Sequence, residues 1–130
     1  MPLVRIDFSE GRSADFGRQV GAVVYEAMVG VANVPQDDRF QVITEHKQSQ
    51  LVYPEAGYLG VKYTPQIVFI QVTWLGGRSV DVKKAFYRFI ADELHARLGV
   101  RRSDVFISVI DVKREDWSFG DGQMQYAPVA

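Results

Sequence analysis

Residues 2–8 read PLVRIDF and residues 68–74 read VFIQVTW, and laying the second on the first sets the whole chain in register with itself 66 positions later. Val4, Ile6 and Phe8 fall on Ile70, Val72 and Trp74. Apolar residues at every second position are the signature of a strand with one buried face. The same offset lays GRS at 11–13 on GRS at 77–79 and Asp15 on Asp81, so each half offers a serine helix cap followed by an acid in the first turn. Behind the first cap, Phe16, Val20, Val24, Ala27, Met28 and Val31 follow helical spacing. Behind the second, Val82, Phe86, Phe89, Ile90 and Leu94 do the same. DRFQVI from residue 38 then falls on the stretch from Asp104, with Phe40 on Phe106. Each half reads strand, helix, strand.

A helix of that length permits the right-handed crossover that leaves the two strands of a unit parallel. Neither unit can bury its apolar face alone. Joined about a pseudo-twofold, with the first strands antiparallel at the centre, they predict an α+β fold: duplicated β-α-β units forming a four-stranded mixed sheet with two helices on one face. The expected organisation is one domain over 1–130, with pseudo-repeats at about 2–46 and 68–112. The segment EHKQSQLVYPEAGYLGVKYTPQ (45–66) contains Pro54, Gly57, Gly60 and Pro65 and predicts an excursion with a short hairpin. Segments this long often serve as lids or subunit contacts. Leu3, Ile67, Phe69, Val105, Ile107 and Val109 are assigned to the uncovered sheet face, which predicts an oligomer.

Composition narrows the function. Fifteen Lys and Arg stand against 16 Asp and Glu, a net charge of -1, which gives no electrostatic reason for nucleic acid or an acidic membrane as partner. The chain has no cysteine, so thiolate nucleophiles, thiolate metal sites and disulfides are excluded. Two histidines, His46 and His95, are too few for a histidine-rich metal site. Arg5 and Asp7 in the opening stretch argue against a signal peptide or membrane span, and a soluble, cytoplasmic protein is expected.

The predicted topology brings distant side chains together. Pro2 starts the first strand and Asp38 the second, which runs parallel to it. The third strand runs the other way, so the turn that follows it delivers Arg78 to the same edge. With Met1 removed, Pro2 would present a secondary amine near a carboxylate and a guanidinium. A competing reading is open at each position. Arg12 and Asp104 form the matching pair at the opposite edge, where such residues merely brace turns, and Pro2 can be an ordinary strand start.

PLVRIDF, EGR at 10–12, VPQDDRFQ at 34–41, the GRS before the second helix and DWSFG at 116–120 together resemble the tautomerase superfamily, close to its malonate semialdehyde decarboxylase subgroup. The resemblance implies a homotrimer without metal or cofactor, acting on a small carboxylate-bearing oxo acid as a lyase or isomerase. It implies Pro2 as the catalytic general acid or base, Asp38 as the acid supporting it, and Arg78 as the group binding the substrate carboxylate. Trp117 and Phe119 resemble the aromatic wall of the pocket. One position departs: the best-known decarboxylases of the subgroup have a second arginine two residues before the one matched by Arg78, and here Gly76 stands there. Decarboxylation or hydration with a cationic Pro2 is the first expectation. Alternatives are keto-enol tautomerisation of 2-oxo acids such as phenylpyruvate, with a neutral Pro2, and a non-catalytic oligomeric binding protein on the same scaffold.

Other residues take ordinary readings. His46 is expected at a strand end, and His95 on a solvated helix face. KREDW (113–117) reads as a charged turn, and RLGVRR (97–102) is too short a basic patch for nucleic acid. Tyr53, Tyr58, Tyr63 and Tyr126 are expected to cover apolar surface or line a pocket across a subunit boundary.

Overall fold

The duplication extends to single backbone hydrogen bonds. The amide of Glu10 donates to the His46 carbonyl at 2.8 Å, and Gly76 to Val112 at 2.9 Å. Val34 donates to Met28 as Val100 does to Leu94, and Asp38 to Pro35 as Asp104 does to Arg101. These bonds come from a computed structural model that describes residues 2–128. Its strands are β1 (Leu3–Ser9), β2 (Phe40–His46), β3 (Val68–Leu75) and β4 (Val105–Val112). The long helices are α1 (Phe16–Gly30), between β1 and β2, and α2 (Val80–Leu98), between β3 and β4. Sheet order is β2-β1-β3-β4. β1 pairs parallel with β2, and β3 with β4, while β1 and β3 meet antiparallel at the centre. The predicted mixed sheet of two β-α-β units is the observed one.

Both helices lie on one face, because one parity of each central strand is apolar. Val4, Ile6 and Phe8 of β1 and Ile70, Val72 and Trp74 of β3 form one buried cluster with Val20, Val24 and Met28 of α1 and Phe86, Ile90 and Leu94 of α2. Burying an aliphatic or aromatic side chain of this size stabilises the fold by about 1.5–3 kcal/mol. Close approach of α1 to β2 depends on two glycines. A Cβ on Gly17 would stand 2.4 Å from Ile43 Cγ2, and one on Gly21 would stand 2.3 Å from Gln41 Oε1. Gln41 Nε2 instead donates to the Gly21 carbonyl at 2.8 Å.

Three expectations need correction or adjustment. Ser79 caps α2, its Oγ accepting from Val82 N at 3.2 Å, but Ser13 caps nothing: α1 begins at Phe16 with Asp15 before it and no side-chain cap. Val105, Ile107 and Val109 pack against the helix-side core rather than lying on the open face. The open face of β4 carries Phe106 and Ile110, 43% and 42% exposed. Because β4 is apolar on both parities, alternation alone could not choose its face. Ile67 is buried too, beneath residues 52–63 of the connection, where Tyr53, Tyr58, Tyr63, Phe69 and Phe106 line an apolar cavity of about 310 Å³. The predicted hairpin shrinks to one bridge, Tyr58 with Val61, turned by Leu59 (φ 50°) and Gly60 (φ 82°).

Candidate active site

Two parallel strands that start at one edge, and two that end there, gather the chemistry-bearing residues. Pro2, buried, precedes Leu3, which pairs with Thr73 on β3 and Phe40 on β2. One step further along the antiparallel register, Pro2 lies beside Trp74. The Arg78 guanidinium stacks on the Trp74 ring with Cζ 4.3 Å from the centroid. Its Nε donates to the Ala32 carbonyl at 2.9 Å and its Nη1 to the Leu75 carbonyl at 2.7 Å. Two backbone oxygens and an aromatic face therefore fix the plane of a half-buried cation. Three of its five N–H groups remain for a ligand. Burial pushes the Arg78 guanidinium below the usual arginine range, and the charge of Asp111 opposes that shift.

Ala32 also belongs to the loop that carries Asp38, so Arg78 ties the end of β3 to the entry of β2. Tyr25 on α1 tightens the same loop by donating its hydroxyl to the Gln36 carbonyl, and Arg39 stacks over the Tyr25 ring at 4.8 Å. Asp38 is half-buried two residues before Phe40. Pro2, Asp38 and Arg78 thus come to one sheet edge, as the topology predicted. Met1, whose removal would free the Pro2 amine, lies outside the described residues.

The chain after β4 folds back across this edge. Trp117 and Phe119 stack at 5.5 Å with 16° between their planes; Phe119 stacks in turn on Phe40 at 6.3 Å, and Tyr126 meets it edge-on at 5.3 Å. Gln125 closes the turn, accepting from Phe119 N at 2.9 Å and donating to Gly120 O at 3.0 Å. The Trp117 indole N–H is buried and has no hydrogen-bond partner among the described residues. This aromatic cluster packs on Phe40, which pairs with Leu3 next to Pro2.

Two residues here, Asp111 and Lys83, escaped the sequence reading. Trp74 Nε1 donates to Asp111 Oδ1 at 2.7 Å, and Lys83 Nζ to Asp111 Oδ2 at 2.8 Å. The bond from Lys83 holds the Asp111 carboxyl below the usual carboxylate range, helped by the indole bond and the charge of Arg78. A signal was present in the repeat: Phe8 and Glu45 occupy the positions that match Trp74 and Asp111, so the acid is common to both halves and the indole donor is introduced in the second. Gly76, the departure noted above, leaves little room: a Cβ there would be 3.3 Å from Asp111 Cβ.

The opposite edge realises the bracing reading. Asp104 is fully buried and accepts from Thr64 N at 2.8 Å and Thr64 Oγ1 at 2.5 Å. Arg12 stacks on Phe16 at 4.0 Å and donates to the Gln66 carbonyl at 2.6 Å. His46 is bonded to Asp7 at 2.6 Å and His95 to the Val100 carbonyl at 3.1 Å, so neither histidine reaches the candidate site. Among the described residues no cluster of three or more His, Cys, Asp or Glu is arranged to hold a metal ion, and no helix is long and apolar enough to cross a membrane.

A paired β-α-β sheet with a proline-started central strand and an anchored arginine at one edge defines a class of small proteins, and comparison with known sequences identifies it. Two family models described as tautomerase enzyme match residues 38–120 and 2–54. Probable tautomerase YusQ of Bacillus subtilis (strain 168) is 40% identical over 125 residues, covering 96% of this chain and 98% of the relative. Probable tautomerase YrdN of the same organism is 33% identical, covering 97% and 96%. The chain belongs to the tautomerase superfamily. Within it, the chain falls in the malonate semialdehyde decarboxylase-like subgroup: FG41 malonate semialdehyde decarboxylase, in a crystal structure inhibited by 3-bromopropiolate, superposes with a TM-score of 0.86 at 39% identity, covering 95% of this chain and 93% of that one. A second malonate semialdehyde decarboxylase gives 0.84 at 27% identity, covering 95% of each chain. Fused 4-OT, a symmetric trimer, shares the fold with a TM-score of 0.75 at 19% identity, covering 93% and 94%.

Proposed function

We propose that the processed protein uses the amine of Pro2 to decarboxylate a small 3-oxo acid of the malonate semialdehyde type, with hydration as the related activity. The observation that carries this reading is the anchoring of Arg78: two backbone carbonyls and the Trp74 face hold its plane at the edge where Pro2 begins. Decarboxylation requires the departing carboxylate to be turned out of the carbonyl plane, and a fixed fork selects such an orientation. The bond between the carboxylate and the α-carbon breaks, its electron pair passes into the enolate, and carbon dioxide leaves. A protonated Pro2 stabilises the charge developing on the carbonyl oxygen, and the α-carbon then takes a proton. Asp38 favours the cationic amine. Trp117 and Phe119 exclude water, which strengthens each interaction, and the Trp117 indole supplies a further donor.

The two Bacillus relatives bear the name tautomerase, and Gly76 replaces a second cation; both favour a second reading. In it a neutral Pro2 removes a proton from a 2-oxo acid and returns it at another atom, with Arg78 again on the carboxylate. Assembly as a homotrimer is part of the proposal, supported by Phe40, Phe106 and Ile110 on the open face and by the trimeric fused 4-OT of the same fold.

Turnover of malonate semialdehyde and of phenylpyruvate enol, measured for protein whose Met1 has been shown absent by mass spectrometry, separates these readings. The decarboxylase reading expects acetaldehyde and carbon dioxide, with loss in both Pro2→Ala and Arg78→Ala. Wild-type rates no higher than those of Pro2→Ala and of buffer alone would leave only a binding protein. Sedimentation equilibrium reads the assembly.

A further inference from the structure

Arg78 is held in plane by the indole beneath it, and that indole is itself held. Trp74 is fully buried one residue before the end of β3, its ring 5.0 Å from that of Phe86, and its one polar atom, the indole nitrogen, needs an acceptor. Asp111, near the end of β4, supplies it. Its Oδ1 accepts the indole N–H at 2.7 Å, while its Oδ2 accepts from Lys83 Nζ of α2 at 2.8 Å. Parallel pairing sets Trp74 directly opposite Asp111, so the acceptor is delivered by strand register rather than by a loop. The far face of the same ring carries the guanidinium. A chain of contacts therefore runs from α2 through β4 and β3 to the group that grips the substrate.

We propose that Asp111 is a positioning residue for carboxylate recognition: by fixing the Trp74 ring it fixes the plane in which Arg78 presents its fork. The inference rests on the functional reading above. Three observations support it. The matching residues of the first half, Phe8 and Glu45, make no such bond, since phenylalanine has no N–H, and there Arg12 stacks on the helix residue Phe16 instead. Lys83, which holds the second carboxylate oxygen, matches Gly17, so both donors to Asp111, Trp74 and Lys83, are peculiar to the half that presents Arg78, while the acid has a counterpart in Glu45. Gly76 keeps clear the space beside Asp111, where any side chain would press on it at 3.3 Å.

The test measures malonate binding by calorimetry and malonate semialdehyde turnover for wild type, Asp111→Ala, Asp111→Asn, Lys83→Met and Arg78→Ala. Asparagine keeps an oxygen for the indole N–H, and Lys83→Met leaves that bond intact. Asp111→Ala is expected to raise the malonate dissociation constant and KM about tenfold with a smaller effect on kcat, while Asp111→Asn and Lys83→Met stay within about threefold of wild type. Trp74→Phe keeps a ring but no N–H, so it should weaken binding similarly, and Trp74→Phe with Asp111→Ala should be no weaker than the weaker single variant. Should Asp111→Ala fold poorly in thermal melts, Trp74→Phe beside Asp111→Asn carries the comparison. Binding by Asp111→Ala within about twofold of wild type, or Asp111→Asn as weak as Asp111→Ala, overturns the inference. If Arg78→Ala leaves malonate binding unchanged, the functional reading fails instead, and the inference with it.

Discussion

Arg78→Lys keeps the positive charge and removes the fork, which makes it the most discriminating substitution at this site. Lysine cannot donate to Ala32 and Leu75 while presenting two parallel N–H groups to a ligand, and its ammonium has no plane to stack on Trp74. Exchanging a two-pronged grip for a point contact removes one charge-assisted hydrogen bond, worth about 1.5–3 kcal/mol. Loss of the stacked geometry, 4.3 Å from ring centroid to Cζ, adds about 0.5–1 kcal/mol. Together these predict a loss of about 2–4 kcal/mol in transition-state binding, or a roughly 30- to 700-fold fall in kcat/KM. The assay is steady-state decarboxylation of malonate semialdehyde at 25 °C and fixed ionic strength, with Arg78→Ala as the lower bracket. The two vacated carbonyls also predict a melting temperature lower by about 3–10 °C, so folded content must be verified at the assay temperature. If Arg78→Lys stays within about threefold of wild type, a simple positive charge suffices, and the anchoring on Ala32, Leu75 and Trp74 has no functional meaning.

Gly17→Ala would ordinarily stabilise a helix by about 0.5–1 kcal/mol, but its Cβ would stand 2.4 Å from Ile43 Cγ2, so a net loss of about 1–3 kcal/mol is expected in urea denaturation. A stabilised variant would show that α1 does not approach β2 so closely. Asp111→Asn should cost less than about 1 kcal/mol of stability at neutral pH, since the Lys83–Asp111 pair is partly exposed. The folded carboxyl lies below its unfolded value, so its contribution is present above the unfolded value and is lost as pH falls through the folded one. The gap between wild type and Asp111→Asn must therefore close in acid, and thermal melts from neutral pH downward in which it widens would contradict the assignment. Tyr25→Phe removes the hydroxyl that holds the Gln36 carbonyl, at a cost of about 1 kcal/mol, and should speed amide exchange in residues 33–39 while leaving α2 unchanged.

Strand order and helix placement were legible because they follow from alternation and from a repeat, both of which are local properties of the chain. The convergence of Pro2, Asp38 and Arg78 followed from strand directions alone. Face assignment in β4 was not legible: Phe106 and Ile110 on one parity, and Val105, Ile107 and Val109 on the other, are equally apolar, and only the packing of α2 decides between them. The cap at Ser13 failed for a related reason. The serine is in place, but the helix starts later, at Phe16, whose ring meets Phe8 at 5.0 Å, so tertiary packing sets the helix start. Trp74 with Asp111 was visible only as a mismatch between halves, and a mismatch does not say which atoms meet.

The two edges explain each other. Arg12 and Arg78 share a spacing, four residues after an aromatic strand residue, and both use backbone carbonyls as anchors. At the closed edge the carbonyl comes from Gln66, in the connection leading to β3, and Asp104 is filled by the amide and hydroxyl of Thr64. The chain continues straight through the position that Pro2 occupies at the other edge, with Gln66 and Ile67 leading into β3. At the other edge the arginine is anchored from Ala32 and Leu75 instead. One β-α-β unit thus shows an arginine and an aspartate bracing the connection, with Arg12 Nε buried and without a partner among the described residues. Connectivity and residue type act together: the connection passes through one edge, while at the other Trp74 and Lys83, in place of Phe8 and Gly17, build the support beneath Arg78.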